Sequence, residues 1–361
     1  MHSTAWAEID RSALRHNIRC ARETAPDAFI VAMIKANAYG HGLIEVAKTL
    51  APLSDKLGVA RFDEVLQLRQ NGISCPLLLM GTLLNSDELY WCANNNVALA
   101  VHSLATAQLI CTSTTPAPLE VWLKFDTGMN RLGFDREALL AAHALLSKAK
   151  QSGEIRLMSH FSSADEVGST VTQEQISRVD KLARELPPMD QSLANSAGLI
   201  AWPQSHRQWV RPGIMLYGDD PTGQQKIGLK TVMSLKSKII AVKDVLAGDS
   251  VGYNARWSAR QPSRIAAIGI GYGDGYPRQL PNGTPVLING QQFPLVGRVS
   301  MDICSVDISS AKHPISVGDV VTLWGDDLPA MTIAAMAGTI SYHLYTGVTQ
   351  RVQRVHIETE T

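Results

Sequence analysis

Several short segments hold side chains that could do chemistry. Lys35 follows the apolar run AFIVAMI (28–34) and precedes ANAYGHG (36–42). An amine at the end of such a run, partly shielded by apolar wall, loses proton affinity and becomes a usable nucleophile. A lysine that simply meets solvent is the plain alternative, but Asn, Gly and His packed into one loop suit ligand contact better. The glycines follow the lysine instead of preceding it, so the segment is not a phosphate loop of the G-x-x-x-x-G-K type. WLKFDTGMNRLGF (122–134) carries Lys124, Asp126 and Arg131 into a loop. The planar fork of an arginine suits a carboxylate, and a salt-bridged loop would explain the segment equally well. His160 lies in SHFSSAD (159–165) and Ser196 in NSAG (195–198). Ser196 with backbone N–H groups could bind phosphate or merely shape a turn. Arg211, in WVRPGIMLYG (209–218), offers a cation beside the amides around Gly213. Further on stand Tyr253 in VGYNARW, Tyr272 in GYGDGYPR, and Met301 and Asp302 in GRVSMDICSVD. A phenol with an unperturbed pKa near about 10 is a poor base at neutral pH without nearby cations, so Tyr253 taken alone reads as a packing residue.

These residues need elements to hold them. Apolar runs at 28–34, 56–60, 76–80, 97–101, 120–126, 155–160, 192–196 and 209–213 alternate with helix-like stretches, among them 43–51, 61–72 and REALLAAHALLSKAK (136–150). Strands buried on both faces and separated by helices form parallel sheets. Eight such units in about 200 residues predict a closed (β/α)8 barrel. In that fold the strand carboxyl ends face the active site, and a phosphate commonly sits near the last two strands. Lys35, Lys124, His160, Ser196 and Arg211 all stand at such ends. The texture changes near residue 228, where strand-like runs are separated by Gly, Pro, Asn and Asp. This predicts a smaller, mostly β domain with one helix at 331–337 and PTGQQK (221–226) as the linker. The expected domains are therefore 1–225, a (β/α)8 barrel, and 226–361, a β-rich domain.

Composition limits the possible functions. The chain has 361 residues, which suits two domains, and 45% apolar with 18% charged residues is the balance of a globular protein. Lys plus Arg and Asp plus Glu are both 33, so the basic excess usual for nucleic-acid binding is missing. The amino terminus lacks the pattern of a secretory signal, and no apolar run approaches the ~20 residues of a membrane span. Five scattered cysteines with no C-x-x-C fit reduced thiols in a cytoplasmic protein.

Nine segments in order, KANAYGHG (35–42), KFDTGMNRLG (124–133), SHF (159–161), NSAG (195–198), RPGIMLYG (211–218), VGY (251–253), GYGDGYPR (271–278), GRVSMD (297–302) and TISY (339–342), resemble the alanine racemase family over nearly the whole chain. The resemblance implies a pyridoxal-phosphate enzyme that interconverts L- and D-alanine, supplying D-alanine for peptidoglycan precursors or consuming it. It implies a homodimer with shared active sites, and no nucleic-acid or membrane partner. Lys35 would be the lysine joined to the cofactor and the base on one face of the substrate, with Tyr253 of the partner subunit on the other. Arg211 resembles the arginine at the pyridine nitrogen, backed by His160. Tyr39, Ser196, Gly213, Ile214 and Tyr342 match phosphate or ring contacts. Arg131 and Met301 resemble substrate-binding residues, with Lys124, Asp302 and Tyr272 in support. Lys124 resembles a lysine often carbamylated to hold the arginine, and Tyr272 a gate at the entrance. Three departures touch the entrance and interface: Asn254-Ala255-Arg256 after Tyr253 where glycine is common, His343 where an acidic residue is usual, and QRVQRVH without a common proline. A serine or broad-specificity racemase of the same fold is the alternative. A non-catalytic cofactor-carrying barrel would lack the second domain, and a barrel decarboxylase would show a glycine-rich phosphate segment and a catalytic cysteine.

Overall fold

The computed structural model describes residues 4–81, 85–224 and 227–359. The predicted linker is therefore described only in part, since Gln225 and Lys226 lie outside these residues. The chain divides into two compact units. One takes the amino-terminal segment to Ala13, Tyr39–Gly42 and the chain from Lys230; the other takes Leu14–Ala38 and Leu43–Leu229.

The first strand, β1 (Ala5–Asp10), alternates buried Ala5, Ala7 and Ile9 with half-buried neighbours, the period of a strand with one covered face. β2 (Phe29–Met33), β3 (Lys56–Val59), β4 (Leu77–Leu79), β5 (Val97–Val101), β6 (Leu119–Lys124), β7 (Ser152–Met158), β8 (Gln191–Ser192) and β9 (Trp209–Val210) form a closed parallel barrel. Each pairs with the next, and Phe29 beside Trp209 closes the ring. β3, β4 and β5 are buried at every position; β4 and β5 therefore read in sequence as unbroken apolar runs, while β3 opens on Lys56. Local side chains start the helices between them. Asn85, Ser103, Asp135 and Asn195 each accept a backbone N–H three residues on, as N-caps do.

The amino-terminal end of the barrel is closed by charge and aromatic rings. Lys56 donates to Glu120 at 2.8 Å, and Arg156 pairs with both Glu120 and Asp190. The Arg156 guanidinium lies over the rings of Trp122 and Trp209. Residues at this end serve stability, which leaves the strand carboxyl ends for chemistry.

The second unit is an eight-stranded sheet. Its strands are β10 (Met233–Val245), β13 (Ser263–Ile268), β14 (Pro285–Ile288), β15 (Gln291–Val296), β16 (Cys304–Asp307), β17 (Val320–Trp324), β18 (Gln353–Ile357) and β1. The order is β13-β16-β15-β14-β17-β10-β1-β18, and the long β10 also pairs with β13. A short ribbon of β11 (Ser250–Val251) and β12 (Trp257–Ser258) stands apart. β1, although it falls in the segment assigned to the barrel from sequence, pairs antiparallel with β10 and parallel with β18. Two helices, Ala330–Met336 and Ser341–Gly347, lie here where one was expected. The second is short, has no side-chain cap and contains Tyr and Thr, so its local signal is weak.

Candidate functional site

In the barrel unit the candidate residues stand at or just beyond the carboxyl ends of their strands. Ile34 donates its N–H to the Gly58 carbonyl at 2.9 Å, which fixes the end of β2 immediately before Lys35. Gly58 leaves room there for Met33, whose sulfur would lie 2.4 Å from a Cβ at this position and would have to shift. Past Lys35 the backbone turns left-handed for four residues, Ala36 to Tyr39, with φ between 52° and 55°.

Arg211, 3% exposed, is clamped by backbone carbonyls. One guanidinium nitrogen donates to the Ser192 carbonyl and hydroxyl at 2.8 and 2.6 Å, and another to the Ser159 carbonyl at 2.6 Å. The second nitrogen also lies 3.4 Å from Nδ1 of His160. Ser196 opens the helix Ser196–Ala201. Its hydroxyl accepts the N–H groups of Gly213 and Met215 at 2.8 and 3.3 Å, so it fixes the turn that presents Gly213 and Ile214.

Lys124 ends β6 and is 7% exposed. The loop after it folds on Asp126, whose Oδ1 accepts the N–H groups of Gly128 and Asn130 at 2.9 and 3.1 Å. A buried network supports the same loop. The Gln175 amide donates to Thr127 Oγ1 and to the His160 carbonyl, while Thr127 and Ser159 share a 2.9 Å hydroxyl contact. Arg131, further along, is exposed.

The electrostatics follow from four cations with little to neutralise them. Burial first, then Arg131, lowers the proton affinity of Lys35, with Arg211 adding to it and Glu64 opposing it. Lys124 is pushed down to about 8 by burial, then by Arg211, Arg131 and Lys35. His160 is held well below its ordinary value by burial and the same cations, and is therefore neutral. Burial lowers Arg211 to about 10, which still leaves it charged at neutral pH. Such a mouth can hold an amine near neutrality and attract phosphate and carboxylate groups.

The remaining candidates belong to the sheet unit. Tyr39 and Tyr342 lie with ring centroids 5.9 Å apart. Gly40 touches the Tyr345 carbonyl so closely that a Cβ would come within 1.9 Å of its oxygen. Tyr253 is 63% exposed, on a turn where Gly252, Asn254 and Ala255 all take positive φ. Asn254 thus adopts the left-handed conformation that this residue type tolerates better than most. Tyr272 and Gly273 donate their N–H groups to the carbonyls of Ser300 and Met301, at 2.9 and 2.8 Å, which ties the Tyr272 loop to the Met301–Asp302 loop. Met301 is 53% exposed. Arg351 bridges Asp302 at 2.6 Å and Asp274 at 3.3 Å.

The sequence reading missed three contributors in the barrel unit. Ser192 holds Arg211 and Gln175 the Asp126 loop; Ser192 opens the run 192–196 but reads there as strand, and Gln175 stands in no segment that draws attention. Glu64 accepts the N–H of Ala36, next to Lys35, at 2.6 Å. Its signal is a glutamate in the first turn of RFDEVLQLRQNG, which in sequence reads as ordinary helix capping.

The family model for the N-terminal domain of alanine racemase matches residues 9–221, and that for the C-terminal domain residues 232–356. An alanine racemase of Yersinia pestis is 45% identical over 353 residues, covering 96% of this chain and 97% of its own. The crystal structure of the biosynthetic alanine racemase of Pseudomonas aeruginosa superposes with a TM-score of 0.94 at 40% identity, covering 99% of this chain and all of that one. An alanine racemase of Bartonella henselae, solved with covalently bound pyridoxal phosphate, does so with a TM-score of 0.90 at 30% identity, covering 98% of this chain and all of that one.

Proposed function

The chain belongs to the alanine racemase family, and we propose that it interconverts L- and D-alanine with two bases, Lys35 on one face of the α-carbon and Tyr253 of the partner subunit on the other. It is an isomerase that uses pyridoxal phosphate. The residues present fit that cofactor, because a shielded amine at the end of β2 can carry it covalently, and the surrounding cations Lys124, Arg131 and Arg211 suit a group of net negative charge. Lys35 would carry it covalently, Arg211 with His160 behind would face its ring nitrogen, and Tyr39, Ser196, Gly213, Ile214 and Tyr342 would hold its phosphate and ring. When bound, the cofactor supplies the electron withdrawal that acidifies the α-proton.

The other steps fall to the chain itself. Lys35, its proton affinity lowered by burial and Arg131, can take or return the proton on its side. Arg211 stays cationic, and its carbonyl clamp fixes its direction. It can therefore donate a hydrogen bond to a ring nitrogen without passing on a proton, which restrains electron withdrawal and disfavours side reactions. Arg131 provides a cation for the substrate carboxylate. Exposure of Tyr253 and Met301 on the sheet unit supports a homodimer in which residues 226–361 complete the partner's site. Asp302 and Tyr272, on loops tied together, would line its entrance. Among the described residues no helix is long and apolar enough to cross a membrane, and the reading takes the enzyme as cytoplasmic.

The observation that carries the reading is the shielded amine among unneutralised cations, in a chain similar to alanine racemases over its full length. L- and D-amino acids assayed for loss of optical purity should single out alanine, whereas equal rates on serine would favour the broad-specificity alternative. With Tyr253→Phe, solvent-proton exchange should collapse from one enantiomer of alanine and persist from the other. Equal loss from both would remove the assignment of separate bases.

A further inference from the structure

Glu64 is a buried carboxylate, 7% exposed, in the first turn of the helix Phe62–Gln70. Its Oε2 accepts the N–H groups of Ala60 and Arg61 at 2.9 and 3.0 Å, which closes the start of the helix. Its Oε1 reaches across to the N–H of Ala36 at 2.6 Å. Ala36 opens the left-handed run Ala36–Tyr39. Each residue there other than Asn37 is of a type for which that conformation is unfavourable. Such a run persists only where its surroundings determine it. In the barrel unit the Ala38 N–H donates to the Ile34 carbonyl and the Leu43 N–H to Asn37 Oδ1, each at 2.8 Å. Neither holds the peptide that joins Lys35 to Ala36, and Glu64 does. We propose that Glu64 is a positioning residue for Lys35, pinning the Lys35–Ala36 peptide so that the amine enters the site at a fixed angle.

An amide cannot replace this carboxylate. All three groups meeting it are N–H donors, while glutamine presents one oxygen and one NH2, so one side would set donor against donor. The charge acts as well. Lys35 is faced by Arg131 and Arg211, which lower its proton affinity, and by Glu64, which raises it; Lys124 and His160 interact with it in turn. The inference rests on the reading of Lys35 as a base and as the cofactor-bearing lysine.

The test compares loaded Glu64→Gln and Glu64→Asp enzymes with Val65→Ala, a packing change at a buried residue of the same helix. Glu64→Gln should lower kcat ten- to a hundredfold with KM within about twofold, because a misplacement of about 1 Å can cost about a hundredfold. In the direction in which Lys35 takes the proton, the acid limb of the kcat profile should move to lower pH, while the opposite direction keeps its profile. Hydroxylamine should strip the visible absorption of the bound cofactor at least about tenfold faster, since a misdirected lysine recaptures the cofactor slowly. Glu64→Asp retains the charge and should keep the acid limb in place. Val65→Ala should lower Tm and leave all three readouts unchanged. A Glu64→Gln enzyme that loses only Tm overturns the proposal, as does a Val65→Ala enzyme that shows the same kinetic losses. Should Glu64→Gln fail to fold, Glu64→Asp decides: a lower kcat with an unmoved acid limb supports the proposal, and behaviour matching Val65→Ala overturns it. A wild-type chain with neither racemisation nor visible absorption would defeat the reading of Lys35 itself, whereas a normal wild type with an unaffected Glu64→Gln defeats only the role of Glu64.

Discussion

Replacing Lys124 with methionine should stabilise the cofactor-free chain at neutral pH and do so less in alkali. Lys124 is 7% exposed, and methionine fills a similar volume without charge. Burial, then Arg211, Arg131 and Lys35, take its pKa from the ordinary 10.5 to about 8. Each tenfold change in proton affinity is worth about 1.4 kcal/mol, so keeping the charge in the folded state costs on the order of 3 kcal/mol. Below about pH 8 the lysine is protonated both folded and unfolded, and the full cost stands. Between about 8 and 10.5 the unfolded chain binds a proton that the folded chain has released, so stability rises with pH. Above that range both forms are neutral and the cost is gone. Near pH 9.5 about 2 kcal/mol should have returned to the wild type. Denaturant unfolding of both chains in buffers purged of carbon dioxide should therefore show an advantage for Lys124→Met of about 3 kcal/mol at pH 7, falling to about 1 kcal/mol at pH 9.5. A methionine chain less stable at both pH values, or an advantage that does not change with pH, would refute the reasoning. Bicarbonate adds a second arm. An amine close to neutrality can add carbon dioxide and release one proton, and the resulting carbamate would pair with Arg131. Bicarbonate should then add the mass of one carbon dioxide to the wild type and nothing to Lys124→Met. A bare wild-type chain at every bicarbonate concentration would remove carbamylation from the account.

Ser196→Ala leaves the N–H groups of Gly213 and Met215 without their acceptor; at about 1–3 kcal/mol for each unmet buried donor, Tm should fall and a fluorescence titration should show at least about tenfold weaker cofactor binding. Gly40→Ala places a Cβ 1.9 Å from the Tyr345 oxygen at a φ of +82°. It should cost about 3 kcal/mol or more, and a thermal scan that matches wild type would contradict the packing described here. Mixing Lys35→Ala with Tyr253→Phe chains should restore about a quarter of the wild-type racemase activity, since half of a random mixture is heterodimer and each heterodimer rebuilds one site from two chains. No recovery after proven subunit exchange would mean that each site is built from one chain.

The barrel is legible in the sequence for a physical reason. A strand covered on both faces is apolar at nearly every position, so VALAV and LLL stand out without reference to any partner. β1 is harder, because AWAEID shows its alternation plainly while its partners, β10 and β18, lie more than 200 residues further on. β8 (Gln191–Ser192) keeps only Ser192 of the run SLANS, since Asn195 already caps the next helix. The left-handed run after Lys35 carries only one marker, Asn37, as alanine and tyrosine are not turn residues.

What the sequence hides most completely is how the charges of the mouth are apportioned. Lys35, Lys124, Arg131 and Arg211 are visible as cations, Asp126 as a carboxylate near two of them, and Glu64 only as a helix-capping glutamate. The simplest expectation from spacing alone is a set of neutralising ion pairs. The structure spends both carboxylates on backbone instead: Asp126 on the amides of Gly128 and Asn130, and Glu64 on those of Ala36, Ala60 and Arg61. Burial first, and then the neighbouring cations, take Lys124 down to about 8 and lower Lys35 as well, against the weaker opposing pull of Asp126 and Glu64. A direct pairing of the lysines by these carboxylates would have opposed that lowering more strongly. The chemistry of the site thus depends on burial and on which carboxylates the backbone has already claimed, as well as on which charged residues are present.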